Sequence, residues 1–158
     1  MNPRAAIPVL IGILIAGMLC GCRPTGTSYR VDPPPGFAVY SRDTESFRSI
    51  ASDGLRIRIR RVDNEPRGNA AMWAQAIEAY LKEGGYHRIS EEKIVSGDGR
   101  EGIFTEYACR FNAEDFRYAV TVFAGADHLY LVEAGGKAES FARKRDGILG
   151  SIRTFRAE

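Results

Sequence analysis

The sequence predicts an α+β domain: an antiparallel β-sheet with helices packed on its faces. Three observations predict it. Residues 103–134 read as three consecutive strands joined by tight turns, a meander that requires antiparallel pairing. Two other segments space their apolar residues as helices do. Those helices do not alternate one for one with strands, so a parallel α/β sheet is excluded.

Each element follows in order. Phe37–Tyr40 is a short apolar strand, and Phe47 and Ile50 are the apolar positions of an otherwise polar stretch, 41–51. Ser52-Asp53-Gly54 is a turn. From Leu55 to Arg60 the alternation is strict: Leu55, Ile57 and Ile59 face one side, and Arg56, Arg58 and Arg60 the other. After a loop holding Pro66 and Gly68, Asn69 is an N-cap. The helix behind it presents Met72, Trp73, Ala76, Ile77, Tyr80 and Leu81 as its inner face and closes at Gly84-Gly85. A strand is expected around Glu92–Val95, then a turn at Ser96–Gly99. The meander strands are Ile103–Phe111, Phe116–Ala124 and His128–Ala134, with Gly135-Gly136 ending them. A last helix, about 138–151, uses Phe141, Arg145, Ile148, Leu149 and Ile152 as its inner stripe, and the tail through Phe155 docks at its end.

Of the 158 residues, 44% are hydrophobic and 27% charged, with a net charge of +2. One globular domain fits this, whereas a disordered chain or a large multidomain enzyme does not. A charge so near balance argues against a dedicated nucleic-acid binder.

The first 21 residues read as a secretory signal. Arg4 precedes a charge-free run from Ala5 to Leu19. That run is shorter than the roughly 20 residues a membrane-spanning helix needs, and it contains Pro8, Gly12 and Gly17. Its end, Leu19-Cys20-Gly21-Cys22, resembles the bacterial lipobox. The resemblance implies a lipidated Cys22, cleaved from residues 1–21. Cys20 is the rival site, but the bulky Leu19 directly before it fits the cut poorly. Several acyl chains, at about 0.8 kcal/mol per buried methylene, hold a protein stably at a bilayer. Arg23 rather than Asp after the cysteine favours the outer membrane, facing the periplasm, in a host that has one. Residues 22–36 then read as a proline-rich tether and 37–158 as a single domain, the alternative for the tail of the tether being a first strand of the domain around Tyr29-Arg30-Val31. Cys109 is the thiol left over, read as a small buried hydrophobe on a strand.

Several segments together resemble the PsbP/Mog1-like superfamily. They are Gly99-Arg100-Glu101-Gly102 entering Thr105-Glu106-Tyr107, then Leu129-Tyr130-Leu131-Val132-Glu133-Ala134, and the ending Ser151-Ile152-Arg153-Thr154-Phe155. That resemblance implies an antiparallel sheet with helices on its faces, and action by binding partners rather than by catalysis. Members include photosystem accessory subunits, a nuclear-transport cofactor and bacterial lipoproteins. No functional residue of the family carries over by position.

The search for chemistry yields little. His87 and His128 lack metal-ligand spacing, and no nucleophile elbow or phosphate loop is present, so no cofactor and no metal are expected. Glu106 is the acid of most interest, with Arg110 or Arg117 as a cross-strand mate. The arginine stripe of Arg56, Arg58 and Arg60 reads as a surface for an anion or an acidic partner, or else as a solvated or salt-bridged sheet face. The leading expectation is therefore a lipid-anchored, non-catalytic binding or accessory module of the bacterial cell envelope. Its partners would be the membrane, through the anchor, and an envelope protein or acidic surface. The alternative is a small periplasmic ligand-binding protein with a pocket between sheet and helix near Trp73 and Tyr80. A hydrolase would require His87 or His128 to converge with Glu106 or Cys109.

Overall fold

The computed structural model describes residues 29–42 and 46–157. The expected signal peptide, the lipidation site Cys22 and the first part of the expected tether lie outside the described residues. The elements in chain order are β1 (Tyr29–Arg30), β2 (Phe37–Arg42), β3 (Ser46–Ala51), β4 (Arg56–Asp63), α1 (Ala70–Glu83) and β5 (His87–Val95). They continue with β6 (Glu101–Phe111), β7 (Glu114–Ala124), β8 (His128–Lys137), α2 (Ala138–Thr154) and β9 (Arg156–Ala157). Seven strands form one sheet in the order β2-β3-β4-β8-β7-β6-β5, every neighbour antiparallel. This is the α+β architecture expected.

Packing on the two faces explains the rest. On one face, Ile57 and Ile59 of β4 join Phe47, Phe104, Phe123 and Val132 beneath Phe141, Ile148 and Ile152 of α2. A fully buried side chain of this size contributes about 1.5–3 kcal/mol. Phe155, just past α2, stacks on Phe123 with ring centroids 5.1 Å apart and planes within 3°. Arg145 belongs to the inner stripe as read. Its Nε donates to Glu106 at 2.9 Å, its Nη2 to Glu92 at 2.8 Å, and its guanidinium lies over the Phe104 ring.

The opposite face packs α1. Asn69 caps it, accepting from the Met72 amide at 2.8 Å. The inner stripe differs from the expectation. Ala70, Trp73, Ala74, Ile77 and Leu81 meet the sheet, while Met72 is 40% and Tyr80 77% exposed. Adjacent apolar pairs define a stripe centre only loosely, and packing selects the set spaced three and four apart. The Trp73 indole N–H donates to Asn64 Oδ1 at 2.8 Å, and Asn64 Nδ2 in turn donates to the carbonyls of Gly68 and Gly125.

The structure decides three further boundaries. The stretch 46–51, to which the sequence reading assigned no element, is a strand, β3. Gly135-Gly136 does not end the meander, because neither residue has a positive φ and β8 runs through both into α2 without a loop. Gly136 is required there by close approach, since a Cβ on it would sit 2.6 Å from Leu55 Cδ1 and 3.1 Å from Leu55 Cα. The alternative first strand around Tyr29-Arg30-Val31 is present as β1, so the tail of the stretch read as a tether belongs to the domain. Tyr29 is 3% exposed, pairs with Ala157, and packs against Tyr130 and Phe155. The Asp32 amide donates to Thr154 Oγ1 at 2.8 Å and the Ser151 hydroxyl donates to the Asp32 carbonyl, so 29–32 is bound along the end of α2.

Candidate functional site

A helix is about 10 Å across and strands lie about 4.8 Å apart, so one helix covers two or three strands. A seven-stranded sheet with one helix per face therefore has sheet left over on both faces. On the α2 face, Tyr29 and Val31 join the core and fill the remainder. On the α1 face the helix packs on β5, β6 and β7, Val62 at the end of β4 joins the cluster beneath it, and no element has its principal packing over β2, β3 and the start of β4 among the described residues.

The arginine stripe lies on this open half. Paired residues share a face, so the register places Arg56 beside Gly135, Arg58 beside Glu133 and Arg60 beside Leu131. The three arginines are not equivalent. Arg60 forks onto Glu133, Nε to Oε2 at 2.8 Å and Nη2 to Oε1 at 2.9 Å, and this bond raises its pKa. The Tyr118 hydroxyl donates to the same Glu133 Oε1 at 2.7 Å. Burial first, and the Glu133 charge second, push the Tyr118 phenol well above its ordinary value. Arg56 and Arg58 are exposed and make no ion pair among the described residues.

A fourth arginine escaped the sequence reading. Arg48 of β3 is exposed and stands in register with Arg58. The signal for it was present: Phe47, Ser49 and Ala51 alternate with Arg48 and Ile50. The polar residues around them masked the period of two.

Beside the arginines runs an open trough. One cross-strand row reads Ile50, Arg56, Gly135, Tyr118, Tyr107. Gly135 contributes no side chain, so a gap two strand spacings wide, about 10 Å, separates Arg56 from Tyr118. The resulting cleft has a volume of about 470 Å³, with Tyr86, Cys109, Phe116 and Tyr118 on its walls and Gly135 and Arg56 at its floor and rim. A second depression of about 300 Å³ continues it past Tyr118 and Gly135 to Arg58 and Glu133. The Tyr86 ring meets Tyr118 edge-on at 5.7 Å. Cys109 is a free thiol and only partly buried, which corrects its reading as a core residue.

The pocket expected near Trp73 and Tyr80 is not where the cleft forms. The indole is engaged by Asn64 and Tyr80 points to water. Of the residues named for a hydrolase, His87 opens β5 in register with Ala108, and no hydrogen bond or ion pair joins His87 or His128 to Glu106 or Cys109 among the described residues. His128 Nδ1 lies 3.4 Å from Asp63, and Glu106 is held by Arg145 and, at 3.6 Å, by Arg117. Arg110, the other mate considered for Glu106, sits 3.8 Å from Asp115. Among the described residues no cluster of His, Cys, Asp and Glu could hold a metal ion, and no helix is long and apolar enough to cross a membrane.

No family model and no curated protein matches the chain. Solved structures do. LpqN of Mycobacterium tuberculosis, described as involved in cell envelope biogenesis, superposes with a TM-score of 0.63 at 11% identity over 85% of this chain and 86% of its own. The cyanobacterial PsbP (CyanoP) of Synechocystis sp. PCC 6803 gives 0.55 at 12% identity over 90% of this chain and 100% of its own. A structure from Bacteroides thetaiotaomicron gives 0.51 at 13% identity over 83% of this chain, and the chain spans less than half of that protein, 45%. What is shared at such identities is the fold: the chain has a PsbP-like α+β architecture.

Proposed function

We propose that the protein is a non-catalytic, lipid-anchored accessory module of the bacterial cell envelope, which docks an acidic partner on the open half of its sheet. One observation carries the reading: Arg48, Arg56 and Arg58 stand together on a sheet face that no other element covers, without carboxylates of their own among the described residues. Arginine forks recognise carboxylates and phosphates bidentately, so such a face selects an acidic surface. The envelope setting is supported by the lipobox-like Cys22 and by the likeness to LpqN.

The anchor and the domain are close. Seven residue steps separate Cys22 from Tyr29. Fully extended, they span at most about 25 Å. A lipidated Cys22 therefore keeps the domain within reach of the bilayer surface and of proteins embedded in it.

Fractionation and crosslinking test this. The chain is expected in the membrane fraction carrying acyl groups at Cys22, and Cys22→Ser is expected to release it. Crosslinking in the native envelope is expected to capture an acidic partner, lost on combining Arg48→Ser, Arg56→Ser and Arg58→Ser. An unmodified Cys22, or a partner indifferent to the triple change, overturns the proposal.

A further inference from the structure

The trough has two chemically different ends. At one, Phe116, Tyr86 and the partly exposed Cys109 give an apolar wall, and Phe111, 67% exposed, stands at the hairpin tip above them. At the other, Arg56 and Arg58 form a cationic rim. Glu133 also lies there, but Arg60 and the Tyr118 hydroxyl occupy its oxygens, and Arg60 balances its charge. The end thus keeps the positive charge of Arg56 and Arg58, reinforced by Arg48 across the strand. Between the two ends the floor is the bare backbone at Gly135.

We infer that the trough binds an elongated small amphiphile with one anionic end, its apolar body along the Gly135 floor against Tyr118, Tyr86 and Phe116, and its carboxylate or phosphate at Arg56 and Arg58. The size suits this: pockets of 300–1,000 Å³ enclose most of a small ligand, and the cleft has about 470 Å³. The charge suits it as well, since a neutral chain leaves two arginines unsatisfied and a free anion leaves the apolar wall wet. From the Phe116 row to the Arg58 row is four residues along the strands, about 13 Å, which a medium-length acyl chain spans when extended. This inference rests on the open half-face being a binding surface, and it names a ligand class for that surface.

The experiment uses the full chain in phosphatidylcholine nanodiscs with a diazirine-bearing dodecanoate as the probe. Labelling is expected on peptides containing Cys109–Phe116 and Gly135. Dodecanoate or dodecyl phosphate is expected to compete at least about tenfold better than dodecanol, the difference of one charge-assisted pair. Whichever of the two competes better identifies a fatty acid or a monoacyl phosphate as the source. Gly135→Val fills the floor and is expected to abolish labelling. A Cβ at Gly135 meets its nearest atom, Tyr118 Cδ2, at an ordinary contact distance of 3.4 Å, and an unchanged denaturant midpoint for Gly135→Val is expected to show that the fold is retained. Arg56→Ser with Arg58→Ser, on exposed positions, weakens labelling by about tenfold or more and retains the fold in any case.

Equal competition by dodecanol, labelling elsewhere, or labelling unchanged in the double arginine variant overturns the inference. The two proposals separate cleanly. Gly135→Val removes the amphiphile while leaving the acidic partner crosslinked, whereas failure of the unaltered protein to crosslink an acidic partner, with amphiphile labelling intact, defeats the accessory reading alone.

Discussion

Arg48 and Arg58 face each other directly across the β3–β4 pair, both exposed and neither meeting a carboxylate among the described residues. Like charges directly opposite on a sheet are destabilising, by a few tenths to about 1 kcal/mol. An arrangement that costs the fold stability and orders two cations side by side is what a surface for an acidic group requires.

Arg48→Glu turns this repulsion into a cross-strand ion pair. The variant is expected to be more stable than the parent by about 0.5–1 kcal/mol, read from the urea midpoint at low salt. The gain is expected to shrink as salt screens the pair. The same change is expected to weaken crosslinking to the acidic partner.

Gly102 and Gly135 are expected to respond differently to alanine. A Cβ at Gly102 falls 2.5 Å from the Phe123 ring, whose other side is stacked by Phe155 and cannot retreat. Overpacking of this kind costs about 1–3 kcal/mol, so Gly102→Ala is expected to lower the denaturant midpoint by that amount. Gly135→Ala, whose Cβ enters the open trough, is expected to change it little.

Tyr29→Ala tests where the domain begins. The ring lies between Tyr130 and Phe155, and burial of an aromatic at such a site is worth about 3–5 kcal/mol on truncation. Equilibrium unfolding is expected to show a loss of this order. A loss under about 0.5 kcal/mol, the range of ordinary surface changes, would return residues 29–36 to the tether.

Tyr118 sets a limit at alkaline pH. Its folded pKa lies above the unfolded phenol's 10.0 because burial, and then the Glu133 charge, disfavour the phenolate. The stability linked to it is fully present below pH 10.0 and falls as pH rises beyond it. Glu133→Gln removes the neighbouring charge, so Tyr118 is expected to ionise at lower pH, followed by phenolate absorbance. Arg60 loses its carboxylate in the same variant, and charge-assisted bonds of this kind contribute about 1.5–3 kcal/mol, to be read at pH 7.

At acid pH the corresponding group is Asp53. The Lys144 ammonium, which donates to it across the β3–β4 turn and α2, holds its pKa below 3.8. Its contribution is therefore present above pH 3.8 and lost as pH falls through the lowered value. Asp53→Asn is expected to melt lower than the parent at pH 7 and to differ from it least at the acid end.

Much of this was legible along the chain because it is local. The alternation of Leu55, Ile57 and Ile59 with arginines fixed which face of β4 is apolar. Asn69 and Gly84 bounded α1, and the turns read at 96–99, 112–115 and 125–127 separated the meander strands, although β7 begins two residues earlier than read, at Glu114. Each signal needs only a few neighbouring residues, and physics at that range depends on sequence alone. What depended on distant partners was not legible. Arg60 is neutral in effect and Arg56 is not because β4 lies beside β8, more than 70 residues later, where Glu133 stands diagonally within reach of Arg60 while the residue facing Arg56 is Gly135. Tyr29 belongs to the core because the chain's far end returns to pair with it. The open half-face exists because one helix is too narrow for seven strands, and only the packed structure decides which strands it leaves bare.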